Sequence, residues 1–181
     1  KGWQLPVGPP IVFDELLVKG VATMKEANFG DVKAKLYGGT VAGRTSLAWR
    51  DGWQFTGDYT VNDLELRDLV PSFSPETRLT GRLNAKPVFS AKAARPEQIG
   101  NALKVDTPFH IRNGVLHGID IQKAATSLFT KDSSGQTRFD TLSGHFAMDR
   151  GTQRITSLKV ASGSLAADGN VSIAPNKALS G

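Results

Sequence analysis

Apolar and polar residues alternate one for one along much of this chain, and the alternation restricts the folds open to it. Every second residue from Val41 to Trp49, and again from Trp53 to Val61, is apolar or small. The residues between them, from Ala42 to Arg50 and from Gln54 to Asn62, are largely polar. Because side chains of a strand point alternately to opposite sides, the pattern predicts an antiparallel sheet with one apolar and one polar face.

Turn residues divide the first half of the chain into hairpins. Gly38-Gly39 and Asp51-Gly52 stand where tight turns require a positive φ, which glycine adopts without steric cost. A short helical turn is predicted between Asp63 and Ser74, and Pro87, which lacks an N–H donor, predicts an edge or a bulge. The strands predicted here are Glu15 to Met24, Phe29 to Tyr37, Thr40 to Arg50, Trp53 to Asn62 and Leu79 to Ala93.

Two short helices are predicted near the middle of the chain, at 96–103 and 119–129. Pro96 at the first helical position and Glu97 in the first turn are typical of a helix start. Ile121, Ala125 and Leu128 follow the three-four spacing of one helix face. Further strands are predicted at Val105 to Ile111, Thr137 to Met148, Arg154 to Ser162 and Leu165 to Ile173.

These elements predict one mainly β domain. A chain of 181 residues of this kind buries about 70% of its unfolded surface, which is enough for a core. We expect an entry segment at 1–12 and a β domain at 13–181, with strand blocks at about 13–94 and 105–181. Their antiparallel meanders are expected to form a strongly curled sheet or half-open β groove, together with the two short helices.

The charge and cysteine content limit the partners. The net charge of +5 and the pI of about 9.6 suit an anionic partner such as nucleic acid, lipid headgroups or lipopolysaccharide. The absence of cysteine excludes a disulfide framework and thiolate metal sites. The sequence has no apolar run near the roughly 20 residues that span a bilayer, and no signal peptide pattern. Its abrupt start at Lys1-Gly2-Trp3 predicts a piece of a longer protein.

The sequence has no constellation of catalytic residues. His110, His117 and His145 sit at strand positions without a partner at a ligand-like offset, and no nucleophile elbow or carboxylate pair is present. We therefore expect no enzyme activity, no metal and no cofactor. The basic residues of the polar parity predict a solvated face rather than a nucleic-acid site: Lys33, Lys35, Arg44, Arg50, Arg82, Lys86 and Lys92.

The candidate binding residues are on the apolar side of the alternating pattern. For an all-β domain the ordinary interpretation is a dry sandwich core. The alternative is a trough that leaves part of its apolar face open for acyl chains, because two short helices cannot cover so many strands. The candidate lipid-binding residues are Val41, Leu47, Trp49, Trp53, Phe55, Tyr59, Val61, Leu83, Phe89, Phe109, Phe146 and Val171, with Trp49, Trp53, Phe55 and Phe89 as the foremost tail contacts.

Several motifs resemble a known family. The hairpin at Ala34 to Gly43, the segment Asn113 to Ile121 and the meander pieces Thr137 to Phe146 and Leu165 to Ile173 are similar, in order and spacing, to motifs of the AsmA family. The resemblance extends from about Phe13 to the end. Each motif alone consists mainly of turn glycines and alternating strand residues, so the resemblance rests on the order and spacing of the motifs together.

The resemblance implies a function in the envelope of a Gram-negative bacterium. It implies a periplasmic domain, anchored in the inner membrane by an N-terminal helix that this sequence lacks, that supports phospholipid transport and outer-membrane biogenesis. TamB and the chorein-type bridge proteins are similar in carrying phospholipid acyl chains along a β groove, and the family supplies no catalytic residues. The alternative is a structural or partner-binding scaffold for outer-membrane protein assembly, with a closed dry core.

Overall fold

Strands make up most of the described chain. The structure is a computed structural model that describes residues 3–4, 11–74, 77–117, 135–163, 165–173 and 179–180. In these ranges the helical elements are one α-helix, α1 (Leu66–Leu69), and 3-10 turns at Val70–Ser72, Pro96–Gln98 and Gly100–Ala102. The strands are β1 (Trp3–Gln4), β2 (Val12–Phe13), β3 (Glu15–Ala22), β4 (Glu26–Leu36), β5 (Gly39–Ala48), β6 (Trp53–Glu65), β7 (Leu79–Ala85), β8 (Val88–Ala93), β9 (Lys104–His117), β10 (Gln136–Asp149), β11 (Thr152–Ser162), β12 (Leu165–Ile173) and β13 (Leu179–Ser180).

One antiparallel sheet contains all the long strands. Across the described ranges it has 11 strands in the order β3-β4-β5-β6-β7-β9-β10-β11-β12-β13, and β8 pairs with β6 and β9. Strands β1 and β2 pair separately. Because β9 pairs with both β7 and β8, it joins the two predicted strand blocks into a single sheet. The predicted mainly β fold with a curled antiparallel sheet is confirmed.

Strands β7 and β8 share one strand position between β6 and β9. Pro87 lies where one ends and the other begins, and the backbone bonds on either side persist. The Tyr59 amide donates to the Pro87 carbonyl over 3.0 Å, and the Lys86 amide donates to the Pro108 carbonyl over 3.3 Å. The prediction of an edge or bulge at Pro87 is therefore corrected to an interruption inside the sheet.

Bulges bend the long strands. Asp63, Asn113 and Ser157 have φ of 53, 52 and 51°, and each lies at or next to a shift in pairing register. A bulge places an extra residue in one strand and increases the local twist and bend. These positions therefore contribute to the curl of the sheet.

The helices only partly follow the sequence prediction. The helical turn predicted after Asp63 is present as α1 and the 3-10 turn that follows it. The short helix predicted at 96–103 is present as two separate 3-10 turns rather than as one continuous helix. An eight-residue segment gains few hydrogen bonds against the cost of nucleation, and Gly100 adds to that cost. The helix predicted at 119–129 lies outside the described residues.

The packed core lies at one end of the apolar face. Leu36, Leu64, Leu66, Ile111 and Phe139 are 4 to 5% exposed, and we call the part of the face that they form the closed end. There α1 and the following 3-10 turn cover the strands. Leu69 packs against both clusters of buried residues, so this short helix joins them into one core.

Candidate binding face

Strand register places the apolar residues of β4, β5, β6 and β8 on one side of the sheet. Directly paired residues of neighbouring strands point to the same face. Leu47 pairs with Phe55, which pairs on its other side with Ala91. Phe89 is likewise paired with Gly57, two residues farther along β6. A single apolar surface therefore runs across these strands.

The same surface continues through β9 to β12. Ala85 of β7 pairs with Phe109, and Phe109 pairs with Gly144. Two residues along β10, Phe146 pairs with Ile155, which in turn pairs with Val171. Apart from Trp49, the candidate lipid-binding residues all lie on this face: Val41, Leu47, Trp53, Phe55, Tyr59, Val61, Leu83, Phe89, Phe109, Phe146 and Val171.

Trp49 lies just past the end of β5, at the rim of the face. Its indole N–H donates to the carbonyl of Met24 over 2.8 Å, and its ring lies 5.9 Å from that of Trp53, centroid to centroid. The hydrogen bond fixes the orientation of the indole. The two tryptophans therefore form a fixed aromatic pair at the end of the sheet opposite α1.

The candidate residues divide between the two ends of the face. Val41, Val61, Leu83 and Phe109 belong to or pack against the buried clusters of the closed end. The others belong to neither cluster and are half-buried, and we call the surface formed by Leu47, Trp53, Phe55, Phe89 and Phe146 the open end. Neither buried cluster of the described residues extends to the open end.

No large side chain in the described ranges is less than 2% exposed. The interior of a closed sandwich normally contains many fully buried large side chains, because protein cores pack as densely as organic crystals. By themselves, the described residues therefore do not form the fully buried interior that the alternative of a dry sandwich core requires. Their apolar side chains at the open end retain contact with solvent.

Glycines lie directly opposite the aromatic residues of this face. Tyr59 is paired with Gly43, Phe109 with Gly144, and Phe139 with Gly114. A Cβ built on these three glycines would lie 2.5, 3.0 and 2.2 Å from the ring opposite. Each ring therefore occupies the space above its glycine, where a larger side chain would clash with it.

The Tyr59 ring is fixed by two contacts besides Gly43. Its hydroxyl shares a hydrogen bond with the Thr45 hydroxyl, and its ring meets that of Phe89 edge to face, with 6.0 Å between the centroids. The hydroxyl thus has a partner on a face that is otherwise apolar. The sequence alone did not reveal the glycine-aromatic pairs, because they depend on register.

The opposite face carries cross-strand ion pairs. Arg44 contacts Asp58 at 2.6 Å, which raises the pKa of the arginine, and Lys104 contacts Asp149 at 3.1 Å. His145 and Asp106 lie 2.9 Å apart although 39 residues separate them in the chain, so no ligand-like offset in the sequence indicated this pair. The described residues hold no cluster of three or more groups suited to a metal ion.

The comparison with protein families identifies the family to which the chain belongs. The model of the AsmA family matches residues 19–158, which extend from β3 to β11 and include most of the apolar face. The chain belongs to the AsmA family. Membership in the AsmA family suggests a role in outer-membrane or lipid-related biogenesis, and the family is associated with bacterial envelope proteins.

The other comparisons add no relative. No curated protein and no solved structure matches the chain. Among the described helical elements, none has the length and apolar character needed to cross a bilayer.

Proposed function

We propose that this AsmA-family domain binds phospholipid acyl chains on the open end of its apolar face and so supports phospholipid transport and outer-membrane biogenesis. The observation that carries the proposal is the contrast between the two ends of one continuous face. The closed end holds both clusters of buried residues beneath α1, whereas Leu47, Trp53, Phe55, Phe89 and Phe146 are half-buried and belong to neither cluster. An apolar ligand would complete the burial that the described residues leave unfinished.

The free energy of the hydrophobic effect supports such a ligand. Exposing an acyl chain to water costs about 0.8 kcal/mol per methylene, so a chain of about sixteen carbons faces a barrier on the order of 10 kcal/mol. An apolar face that accepts the tail removes most of this cost, while the headgroup stays in water. Positions along the face are similar in character, so a bound tail would move between them without nucleotide hydrolysis.

The aromatic surface of the face also suits a hydrocarbon tail. The Phe89 ring of the open end and the Tyr59 ring that it contacts offer broad apolar contact. Small-molecule sites that discriminate strongly usually combine concave walls with a few placed polar groups. The Tyr59 hydroxyl is already bonded to Thr45. We therefore propose recognition of acyl chains as a class rather than of one lipid species.

The proposed role is binding without catalysis. His145 and Asp106 form the histidine–carboxylate pair that most resembles a catalytic one. This pair lies on the polar face, where the side chains are 40% and 64% exposed. That exposure provides no means of excluding water, and the pair is on the opposite side from the proposed ligand. We propose a periplasmic location, with attachment to the inner membrane through a segment outside this sequence.

Native mass spectrometry of the bacterially expressed chain tests the proposal. We expect phospholipid to accompany the protein, and we expect Phe55→Asp to reduce its occupancy at least fivefold. The matched control is Thr56→Asp, which alters the adjacent exposed residue on the polar face and should retain the lipid. A second variant, Phe89→Ser, should also reduce occupancy if Phe55→Asp fails to fold.

Two results would contradict lipid binding. One is a folded, unmodified chain that carries no phospholipid and extracts none from vesicles. The other is equal loss of lipid in Phe55→Asp and Thr56→Asp, which would mean that the face does not matter. Binding of an outer-membrane assembly protein that persists in both variants would instead favour the scaffold function.

A further inference from the structure

Strand β3 forms an apolar edge of the sheet. Within the described ranges it pairs only with β4, and all eight of its residues are exposed. Leu16, Leu17 and Val18 are 40, 45 and 45% exposed. Unpaired edges of this kind readily add another strand, and natural proteins usually protect them. The edge is therefore a candidate interaction surface.

The charges on β3 indicate which strand would fit. Its two charged residues are Glu15 and Lys19, four positions apart. When two copies of the strand lie antiparallel with Glu15 opposite Lys19 of the second copy, symmetry also places Lys19 opposite Glu15 of that copy. Leu17 then lies on the twofold axis. Opposite charges placed directly across a strand pair are stabilising.

The charge pattern also extends beyond the edge strand. Glu15 already contacts Lys35 of β4 at 3.0 Å, and Lys19 is paired in register with Asp31. In the antiparallel arrangement, one row across the two copies would read Lys35, Glu15, Lys19 of the second copy and Asp31 of the second copy. The signs alternate along this row, so the added pairs bring no like charges together.

The apolar face is matched in the same register. Leu16 would lie opposite Val18 of the second copy, next to the existing pairs of Leu16 with Ala34 and of Val18 with Val32. A twofold axis through Leu17 that is perpendicular to the sheet keeps the apolar faces of both copies on the same side. We propose that this chain self-associates through β3 in this antiparallel register, which makes the sheet and its apolar face continuous across two copies.

The proposal does not depend on lipid binding, and engineered cysteines test it directly. The chain contains no cysteine, so Leu17→Cys introduces a single thiol on the proposed axis. We expect mild oxidation or a short bismaleimide to cross-link it to itself. The control is Val21→Cys, which is more exposed at 69%. In this register the two copies of residue 21 lie about 26 Å apart, at about 3.3 Å per residue, and should cross-link at least tenfold less.

Exchange of the charges provides a second test. Glu15→Lys makes both charges of the strand basic, and Lys19→Glu makes both acidic. Each variant alone should self-associate about tenfold more weakly, because two cross-strand attractions become repulsions. An equimolar mixture should restore association as a mixed dimer. Sedimentation equilibrium measures all three cases.

Three outcomes would overturn the proposal. The unmodified chain could remain a monomer over the micromolar to millimolar range. Val21→Cys could cross-link as readily as Leu17→Cys, which would mean that contact is random. The mixed charge variants could associate no better than either alone. The cysteine experiment still tests the proposal if a charge variant fails to fold.

Discussion

The carboxylate of Asp63 in β6 accepts a 2.5 Å hydrogen bond from the guanidinium of Arg112 in β9, across the intervening strand β7. The residues of β7 between them also take part. Arg82 donates to the Asp63 carbonyl over 3.0 Å, and Asn84 donates to the Asp63 carboxylate over 3.4 Å. With a φ of 53°, Asp63 lies in the left-handed region. This network therefore holds a bulge where three strands meet.

This network predicts a pH-dependent contribution to stability. The hydrogen bond from Arg112 is the main cause that lowers the pKa of Asp63 below its ordinary value of 3.8. Since the folded pKa lies below the unfolded one, the contribution is complete at neutral pH and is lost as the pH falls through the folded pKa. We expect Asp63→Asn to reduce the urea midpoint at pH 7 and to have a much smaller effect near pH 2.

The matched control for this measurement is Asp51→Asn, in the exposed turn between β5 and β6. It should shift the midpoint little at either pH. If Asp63→Asn loses as much stability at pH 2 as at pH 7, the carboxylate is not responsible for the effect.

The glycine-aromatic pairs predict a steric cost at Gly43. A Cβ there would lie 2.2 Å from the Asp58 carbonyl and 2.5 Å from the Tyr59 ring. Gly43→Ala should lower the free energy of unfolding by about 1 to 3 kcal/mol, as overpacking usually does. Gly30→Ala in the neighbouring strand meets no atom within 4 Å and should leave stability nearly unchanged. Equal effects in chemical denaturation would mean that the ring does not occupy that space.

The burial of Leu66 at the closed end predicts a large loss of stability when this side chain is shortened. Leu66 begins α1 and is 4% exposed. Leu66→Ala should lower the free energy of unfolding by about 2 to 5 kcal/mol, because it removes buried methylene groups and leaves a cavity. Val88→Ala, at a side chain that is 52% exposed, should change it by less than about 0.5 kcal/mol. A similar loss in both variants by urea unfolding would contradict the burial of Leu66 in the core of the closed end.

The aromatic rim predicts a fluorescence signal for acyl chains. Trp53 lies on the open end, and its ring is 5.9 Å from that of Trp49. A phospholipid with a brominated tail should quench the emission of the unmodified chain, and Trp53→Phe should remove a large part of that quenching. The same lipid with unmodified tails is the control. Full quenching in Trp53→Phe would place the tail elsewhere.

The sequence was sufficient for the features that depend on local pattern. Alternation from Val41 to Val61 predicted the strands and the face on which each residue lies, because side-chain direction in a strand follows position alone. Gly38-Gly39 and Asp51-Gly52 predicted where the turns lie, because glycine adopts positive φ without steric cost. In the first turn, however, the positive φ values belong to Tyr37 and Gly38, and Gly39 already lies in β5. The apolar residues of the candidate face could therefore be named, but the division into a closed and an open end could not.

Other features depend on register between distant strands. His145 and Asp106 are 39 residues apart in the chain, and only the pairing of β9 with β10 brings them together. For the same reason, the sequence alone could not identify the glycine opposite each aromatic ring. At 96–103, Pro96 and Glu97 are typical of a helix start. A start signal does not show whether a segment this short forms enough hydrogen bonds to offset the free-energy cost of helix nucleation.

The order of the strands in the sheet has a kinetic consequence. Apart from the shared position of β7 and β8, each long strand pairs with the strand that precedes or follows it in the chain. Closing the loop between such partners costs less entropy than closing one between strands that are distant in the chain. We therefore expect the hairpins to form earlier in folding than the pairing of β6 with β8 and of β7 with β9.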